Sequence, residues 1–449
     1  MKTTAGKTML HPIRIIVLGF VALILFGSVL LVLPFASRNG HSIPYLDALF
    51  TSASAACVTG LVVYDTYTQF TLFGQLVILL LIQIGGLGFM TIATLALMVA
   101  RRKIGLTERR VLSEAISAFQ LGGVVRLVKR ILICTLISEG TGAVLLSIRF
   151  CSQFGFWRGA YYAIFHSVSA FCNAGFDLMG CYAPYSSFVP YQTDILINLT
   201  MMALIIAGGL GFVVWDDIFE KRRQPLRYKL HTKIVLIVNA ALIVAGTLIF
   251  LFAEYDNTLA GLSGGQKLLV SLFHSVTPRT AGFNTIDTGA MTGGGTALTI
   301  ILMIIGASPG STGGGLKTTT FTVFFLATVA YLRNTEDMNA FQRRLEKDAL
   351  RRAYGVATIY SGLVAAGFIA IMLAQDTPFK DTLFESVSAI STVGLTTGLT
   401  RILNSFSKGV LILLMFAGRI GSLSLVTAFI EHLPRKANLR NPEEKIIIG

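Results

Sequence analysis

Residues 49–61 read LFTSASAACVTGL, and three later stretches repeat the pattern: IFHSVSAFCNAGF at 164–176, LFHSVTPRTAGF at 272–283 and LFESVSAISTVGL at 383–395. Each opens with an apolar residue, a Phe, one variable residue and a Ser (Phe50 and Ser52, Phe165 and Ser167, Phe273 and Ser275, Phe384 and Ser386). Each closes on a Gly followed by Leu or Phe. The Phe-to-Gly offsets are 10, 10, 9 and 10, and Gly60, Gly175, Gly282 and Gly394 follow one another at 115, 107 and 112 residues. This is an internal fourfold repeat of about 110 residues. The repeated stretches are semi-apolar and too short to cross a bilayer.

The chain around them has the composition of a membrane protein. Hydrophobic residues are 53% of its 449 and charged residues 13%, about half the roughly 25% usual in soluble domains. Mean hydropathy is +0.70. A disordered, collagen-like or ordinary soluble chain is excluded. The net charge of +14 then belongs to cytoplasmic loops rather than to a nucleic-acid face. Five cysteines without a CxxC pair give neither a zinc site nor a disulfide framework.

Apolar runs fall at roughly 12–34, 74–100, 131–150, 194–215, 232–253, 298–328, 353–374 and 408–430. The first is too long for a signal h-region and no A-x-A site follows, so it reads as a retained anchor. Cations cluster before the first run (Lys2, Lys7, Arg14), then at 101–130, 221–229 and 333–352, and after the eighth at Arg435, Lys436, Arg440 and Lys445. Basic and cation-poor connections alternate strictly, and the repeated stretches occupy the cation-poor ones. The positive-inside rule then gives eight spans with both termini cytoplasmic. The expected fold is an all-α polytopic membrane protein of four tandem helix–pore-loop–helix repeats around one pseudo-fourfold pore. The expected units are 1–105, 106–223, 224–335 and 336–434, with a C-terminal cytoplasmic tail at 435–449.

Non-helical backbone at membrane depth needs protein or a water path around it. Four short loops about one axis supply that, and their carbonyls can replace the water around a dehydrated cation. Gly reaches positive φ and lets such a loop expose its carbonyls, while the preceding half-helix aims its partly negative end at the axis. The expected ion-selectivity filter is therefore Thr59 and Gly60, Ala174 and Gly175, Ala281 and Gly282, and Val393 and Gly394. No ring of Asp or Glu lies there, which favours a weakly hydrated monovalent cation coordinated by backbone carbonyls. Arg279, three residues before Gly282, would repel ions if it faced the axis, so it is expected to turn away to a carboxylate or carbonyl. Pro278 and the offset of 9 indicate that the third loop bends differently.

Two second crossings share a motif, IQIGGLGF at 82–89 and IIAGGLGF at 205–212, which reads as close helix packing through small residues. The sixth run instead contains GASPGSTGGGLKTTT at 306–320. No regular helix survives that composition. It is not a phosphate loop, because Leu316 intervenes before Lys317 and no strand precedes it. It reads as an intramembrane gate built from Gly306, Ser308, Gly310, Ser311, Thr312, Gly313, Gly314, Gly315 and Lys317. Arg419 lies mid-span in the eighth run, at the place equivalent to that loop. An ionisable residue there is costly and faces the bundle interior, so it is expected to bond loop carbonyls and hold the gate shut. Glu139 in the third run has helix–helix hydrogen bonding and a transport role as its two readings. His166 and His274 read as half-helix polar contacts. Asp47, Asp65, Asp177, Asp287, Asp381 and Glu385 lie in the external connections, solvated or drawing cations toward the mouth.

These features resemble the Trk/Ktr/HKT superfamily of potassium transporters over nearly the whole chain, with VTGL, PRTAGFN, IQIGGLGFM and GRIGSL as its specific segments. The chain starts directly at the first repeat, without the extra helix pair of the Trk branch, which points to a Ktr membrane subunit of the KtrB type. The resemblance implies potassium uptake across a bacterial inner or plasma membrane, often with sodium as activator. It implies no cofactor in this chain, a homodimer with one pore per protomer in membrane lipid, and a cytosolic ring of nucleotide-binding regulatory subunits of the KtrA/KtrC type. It also carries the filter onto the four glycines and the gate onto 306–317 with Arg419 beneath. Sodium-selective plant relatives typically have Ser at the first filter position, so Gly60 favours potassium. The alternatives are a pore for sodium or another monovalent cation, and a secondary transporter of another fold. Four parallel repeats argue against the usual inverted ones, and no HExxH or GxSxG motif suggests an enzyme.

Overall fold

A computed structural model describes residues 12–88, 91–92, 94–95, 113, 124–222, 224–346 and 348–421. Lys2 and Lys7, most of the second run beyond Gly88, most of the basic stretch 101–123, the end of the eighth run and the tail at 435–449 lie outside the described residues. The first sequence repeat holds α1 (Pro12–Val32), α2 (Tyr45–Ala56) and α3 (Leu72–Leu87). The second holds α4 (Val124–Phe154), α5 (Phe156–Phe171), α6 (Ile195–Gly209) and α7 (Phe212–Lys221). The third holds α8 (Leu230–Ala253), α9 (Gly264–Val276), α10 (Gly293–Ile304) and α11 (Thr318–Leu332). A two-stranded hairpin, β1 (Asn339–Ala340) with β2 (Arg343–Arg344), leads to α12 (Asp348–Ala374), α13 (Phe379–Ile390) and α14 (Ser405–Ile420).

The helix that opens each repeat is long and apolar enough to cross a membrane: Ile13–Val32, Val125–Phe154, Leu230–Ala253 and Asp348–Ala374. Their outward faces present Phe26, Leu136, Phe252 and Leu373. The interior meanwhile holds Ser52, Ser167, Ser275 and Ser386 fully buried. Apolar outside and polar inside is the arrangement of a protein dissolved in lipid.

The pairing of first and second helices recurs four times. A Cβ on Gly27, Gly142, Gly246 or Gly367 would press on Leu81, Leu204, Leu302 or Leu414 at 2.6, 2.6, 3.2 and 2.6 Å. Each second helix also starts from a side-chain cap: Thr71 for α3, Asp194 for α6, Thr292 for α10 and Asn404 for α14. Caps of this kind satisfy the orphan N–H groups of a helix start.

Among the described residues, two apolar runs are interrupted within their length. The fourth turns by 93° between α6 and α7, where Gly211 takes φ 93°. The sixth divides into α10 and α11 with residues 305–317 between them. The GGLG segments thus do more than pack. Gly88 and Gly211 end α3 and α6 at positive φ, and Gly421 ends α14 in the same way. Positive-φ glycines thus close α3, α6 and α14 alike, whereas the sixth run opens into a loop.

Candidate ion pathway

The half-helices α2, α5, α9 and α13 converge on the four motif glycines. Three end four residues before their Gly, at Ala56, Phe171 and Ile390, and α9 ends six before, at Val276. The third loop is therefore the differently bent one, as Pro278 and its shorter offset indicated. In every loop the residue two before the Gly also has positive φ: Val58 at 57°, Asn173 at 59°, Thr280 at 78° and Thr392 at 52°. The glycines themselves take φ 94°, 70°, 80° and 91°. Left-handed non-Gly residues, a β-branched Val among them, are outliers that persist only where the surroundings hold them.

The four loops close into a ring in sequence order. A Cβ on Gly60 would lie 2.6 Å from the Ala174 carbonyl oxygen and 3.0 Å from Gly175 Cα. One on Gly175 would lie 2.9 Å from the Ala281 oxygen and 3.2 Å from Gly282 Cα. One on Gly282 would strike the Val393 oxygen, and one on Gly394 would strike the Thr59 oxygen and lie 2.8 Å from Gly60 Cα. The carbonyls of Thr59, Ala174, Ala281 and Val393 thus stand between neighbouring glycines. All eight residues marked in the sequence are brought together, and no side chain fits among them.

Hydroxyl groups hold these loops. The N–H groups of Gly60 and Gly394 donate to Ser54 Oγ and Ser388 Oγ, both at 3.1 Å. Ser169, Thr277 and Ser388 donate to the carbonyls of Phe176, Phe283 and Leu395 at 2.7, 2.6 and 2.7 Å. Sequence reading missed these braces. Their signal is a hydroxyl residue six positions before Gly60, Gly175 and Gly394, and five before Gly282 in the shortened loop.

Above the ring the glycines floor a cavity of about 330 Å³ whose walls include Asp65, Asp177 and Asp287. Asp65 accepts from the N–H groups of Thr68 and Tyr185 at 2.8 and 2.9 Å. Asp177 accepts from Met179 N–H at 2.9 Å, and burial, reinforced by the Asp65 charge, pushes its carboxyl up to about 7. The other external acids are not in the cavity wall. Asp47 pairs with Lys408 at 2.6 Å and accepts from the Tyr64 hydroxyl at 3.1 Å. Glu385 is buried and accepts from the hydroxyls of Thr396 and Thr400. His166 Nε2 accepts from Leu178 N–H at 3.0 Å and His274 Nε2 meets Thr299 Oγ1 at 2.9 Å, so both brace their half-helices. Glu139 accepts from Gln83 Nε2 at 3.3 Å, a link between α4 and α3.

Below the ring, residues 305–317 are packed against three repeats. Ile305 and Leu316 bridge at the neck, and a Cβ on Gly306 would lie 2.5 Å from the Gly314 oxygen. Gly310 and Gly315 take φ 65° and 70°. Ser308 N–H donates to Gly209 O at 3.1 Å, Thr312 N–H to Gly208 O at 3.3 Å, and Gly310 O accepts from Phe212 N–H at 2.8 Å. Thr312 Oγ1 reaches Phe171 O at 3.3 Å, and Gly314 N–H donates to Thr392 Oγ1 at 3.0 Å. Gly313 abuts Thr280 so closely that a Cβ would strike its hydroxyl. Ser311 Oγ is buried without a partner. The loop therefore touches the undersides of the second, third and fourth ring loops directly. Two cations hold it. Lys317 Nζ donates to Gly313 O at 2.6 Å. Arg419 donates to Thr312 O, to Gly85 O and, at 3.0 Å, to Gly86 O. The GGLG segment of α6 thus receives the loop and that of α3 receives its Arg419 clamp, which the packing reading of the motif had not revealed. Arg279 turns to the amide oxygen of Asn239.

Fold and site together define a polytopic membrane protein with a carbonyl-lined ring, the architecture of a cation transport protein. The chain belongs to the TrkH cation transport protein family, whose model matches residues 8–441. It is 41% identical over 440 residues to the Ktr system potassium uptake protein B of Bacillus subtilis, covering 98% of this chain and 97% of that one. It is also 41% identical over 446 residues to the potassium/sodium uptake protein NtpJ of Enterococcus hirae, covering 98% of each. The crystal structure of the potassium transporter TrkH from Vibrio parahaemolyticus shares its fold, with TM-score 0.74, 20% identity and coverage of 96% of this chain and 87% of that one. The protein is a KtrB-type member of the family, a multi-pass plasma-membrane transporter and not an enzyme.

Proposed function

We propose that this chain takes up potassium, with the ring at Gly60, Gly175, Gly282 and Gly394 as its selectivity filter and residues 306–317, held by Arg419, as its gate. The observation that carries this reading is the closure of four glycine loops into one ring, with four backbone carbonyls and no side chain between them. Carbonyl dipoles suit a monovalent cation that sheds its water readily. Two relatives named for potassium or potassium/sodium uptake support the same ion. In this reading the chain crosses the membrane eight times with both termini cytoplasmic, as four units at 1–105, 106–223, 224–335 and 336–434.

Potassium is the cargo, sodium the activator, and the chain needs no cofactor of its own. The working unit is a homodimer in lipid above a cytosolic ring of nucleotide-binding regulatory subunits. The name of the Bacillus relative, a component of a Ktr system, supports such a partner. The basic cytoplasmic connections then meet headgroups or that ring. Complementation of a strain without its own potassium uptake, on limiting potassium, tests the proposal. Wild type should restore growth, alone or with a co-expressed regulatory subunit. Gly60→Ser should impair growth or admit sodium. Failure of wild type despite confirmed membrane insertion would overturn potassium as the ion.

A further inference from the structure

The third ring loop departs from the others in two places, and the helix after it departs in a third. Its Phe-to-Gly offset is one residue short. It carries Arg279 where the other loops carry Cys57, Cys172 and Ser391. The second helix of its repeat opens into the loop at 305–317. A chain of side chains joins these departures.

In three of the four loops the residue three before the glycine is a back brace. Cys172 Sγ lies 3.9 Å from Glu139 Oε1 on α4, and Ser391 Oγ lies 2.6 Å from the Tyr360 hydroxyl on α12. Arg279 donates to Asn239 Oδ1 on α8. Each of these partners stands on the long helix that opens the same repeat, and Cys172 Sγ also reaches Gln83 Oε1 on α3 at 3.5 Å. Only in the third is the brace a full charge. Arg279 is 7% exposed, its Nε has no partner, and its anchor is an amide rather than a carboxylate. A buried cation without a counter-charge is expensive, so local stability gives no reason to prefer it to the thiol or hydroxyl of its counterparts.

Asn239 supplies the continuation. A guanidinium has donors only, so the amide oxygen must face Arg279 and the amide nitrogen must face away. That nitrogen donates to Val235 O at 2.6 Å and to Ser308 Oγ at 3.2 Å. Ser308 is fully buried in the intramembrane loop and also accepts from Thr318 Oγ1 at 3.2 Å. The direction of donation therefore runs without a reversal from Arg279 through Asn239 to Ser308.

We propose that Arg279 is a positioning residue that couples the ring to the loop beneath it, with Asn239 and Ser308 as the links. When the loop withdraws, Ser308 leaves Asn239, the amide loses one of its three partners, and the third ring loop relaxes. Ion occupancy of the ring in turn biases the loop. This inference rests on the reading of the ring as filter and the loop as gate.

The test measures initial potassium uptake against external potassium, with sodium as competitor, in proteoliposomes holding the full chain. Asn239→Leu should lower the potassium-over-sodium preference about tenfold and Ser308→Ala about threefold, as loss of a charged and of a neutral hydrogen bond would. Neither residue lies in the ring, so a purely structural role would leave preference unmoved. Combined with Arg279→Lys, either substitution should add less than the product of the single effects, because all three break one chain. Arg279→Lys with Asn239→Asp should restore preference through an ammonium–carboxylate pair. Ser308→Ala removes one hydroxyl and decides the matter if the Arg279 variants do not assemble. Unchanged preference in Ser308→Ala, or fully multiplicative effects, would overturn the coupling. Deleting Gly313 and Gly314 separates the underlying reading: a maximal rate left untouched removes the loop as gate, and a wild type without potassium preference removes the ring as filter. A coupling failure instead shows an altered maximal rate in the deletion beside an unmoved preference in Ser308→Ala.

Discussion

Arg419 donates to the carbonyl of Thr312, joining α14 to a loop residue 107 positions earlier. Its other amino nitrogen reaches the Gly85 and Gly86 carbonyls of α3. One guanidinium thus ties together three elements beneath the ring. Hydrogen bonds from a charged donor are each worth about 1.5–3 kcal/mol. If they hold the loop across the pathway, Arg419→Gln should raise the maximal rate of potassium uptake by about tenfold. Arg419→Lys, which lacks the fork needed for two carbonyl sets, should fall between. Initial rates at saturating potassium check this. Equal rates in all three proteins would mean that the clamp does not limit flux.

The vestibule should respond to external pH through Asp177. Its carboxyl is pushed up to about 7 by burial and by the neighbouring Asp65. Near pH 6 it is mostly neutral, and near pH 8 it adds a negative charge beside the ring. Uptake at limiting potassium should therefore rise across that interval, with little change at saturation. Asp177→Asn should abolish the rise and stay at the low-pH rate. Stability moves the opposite way. A carboxyl raised in the folded state favours folding while protonated, and that contribution is lost as pH climbs through about 7. Asp177→Asn should thus melt higher than wild type at pH 8 and alike at pH 4, read by thermal unfolding in detergent.

Much of this was legible because the sequence repeats. Phe50, Ser52 and Gly60 have counterparts in three later stretches, and the counterparts converge on one ring. The third loop announced its different bend through Pro278. The carbonyl partner of Arg419 followed from the cost of a charge at membrane depth. Other features were hidden because they depend on contacts between distant segments. Nothing local to GGLG says that its carbonyls at Gly85, Gly86, Gly208 and Gly209 will receive the intramembrane loop and its clamp. The 93° turn after α6 needed Gly211 at positive φ, and a Gly in an apolar run reads equally well as a packing residue. The hydroxyl braces at Ser54, Ser169, Thr277 and Ser388 were visible at a fixed offset. Buried serines near a half-helix end are too common for that offset to attract notice without the geometry.

A buried ion pair joins the first and last repeats. Lys408 Nζ lies 2.6 Å from Asp47 Oδ1, and their side chains are 14% and 9% exposed. Asp47 begins the first half-helix and Lys408 begins α14. Removing one partner leaves the other charge stranded, at a cost of about 3–5 kcal/mol. Lys408→Met should therefore lower the midpoint of thermal unfolding markedly. Asp47→Asn with Lys408→Met should recover most of the loss, because a buried pair replaced as a whole is often neutral. A single variant as stable as wild type would show that the pair contributes nothing to closing the ring.

Gly282, in the differently bent third loop, leaves no room for a side chain. It takes φ 80°, and a Cβ there would strike the Val393 carbonyl and lie 3.3 Å from both Gly175 Cα and Gly394 Cα. Left-handed backbone alone costs an Ala about 1–2 kcal/mol. The collision adds to that and would push the Val393 oxygen off its place between the glycines. Gly264 at the start of α9 is the control, since a Cβ there meets nothing within 4 Å. Gly264→Ala should transport like wild type. Gly282→Ala should reach the membrane yet lose at least about tenfold in potassium uptake, with weakened discrimination against sodium. Uptake and selectivity equal to wild type in Gly282→Ala would mean that ions do not pass through this ring.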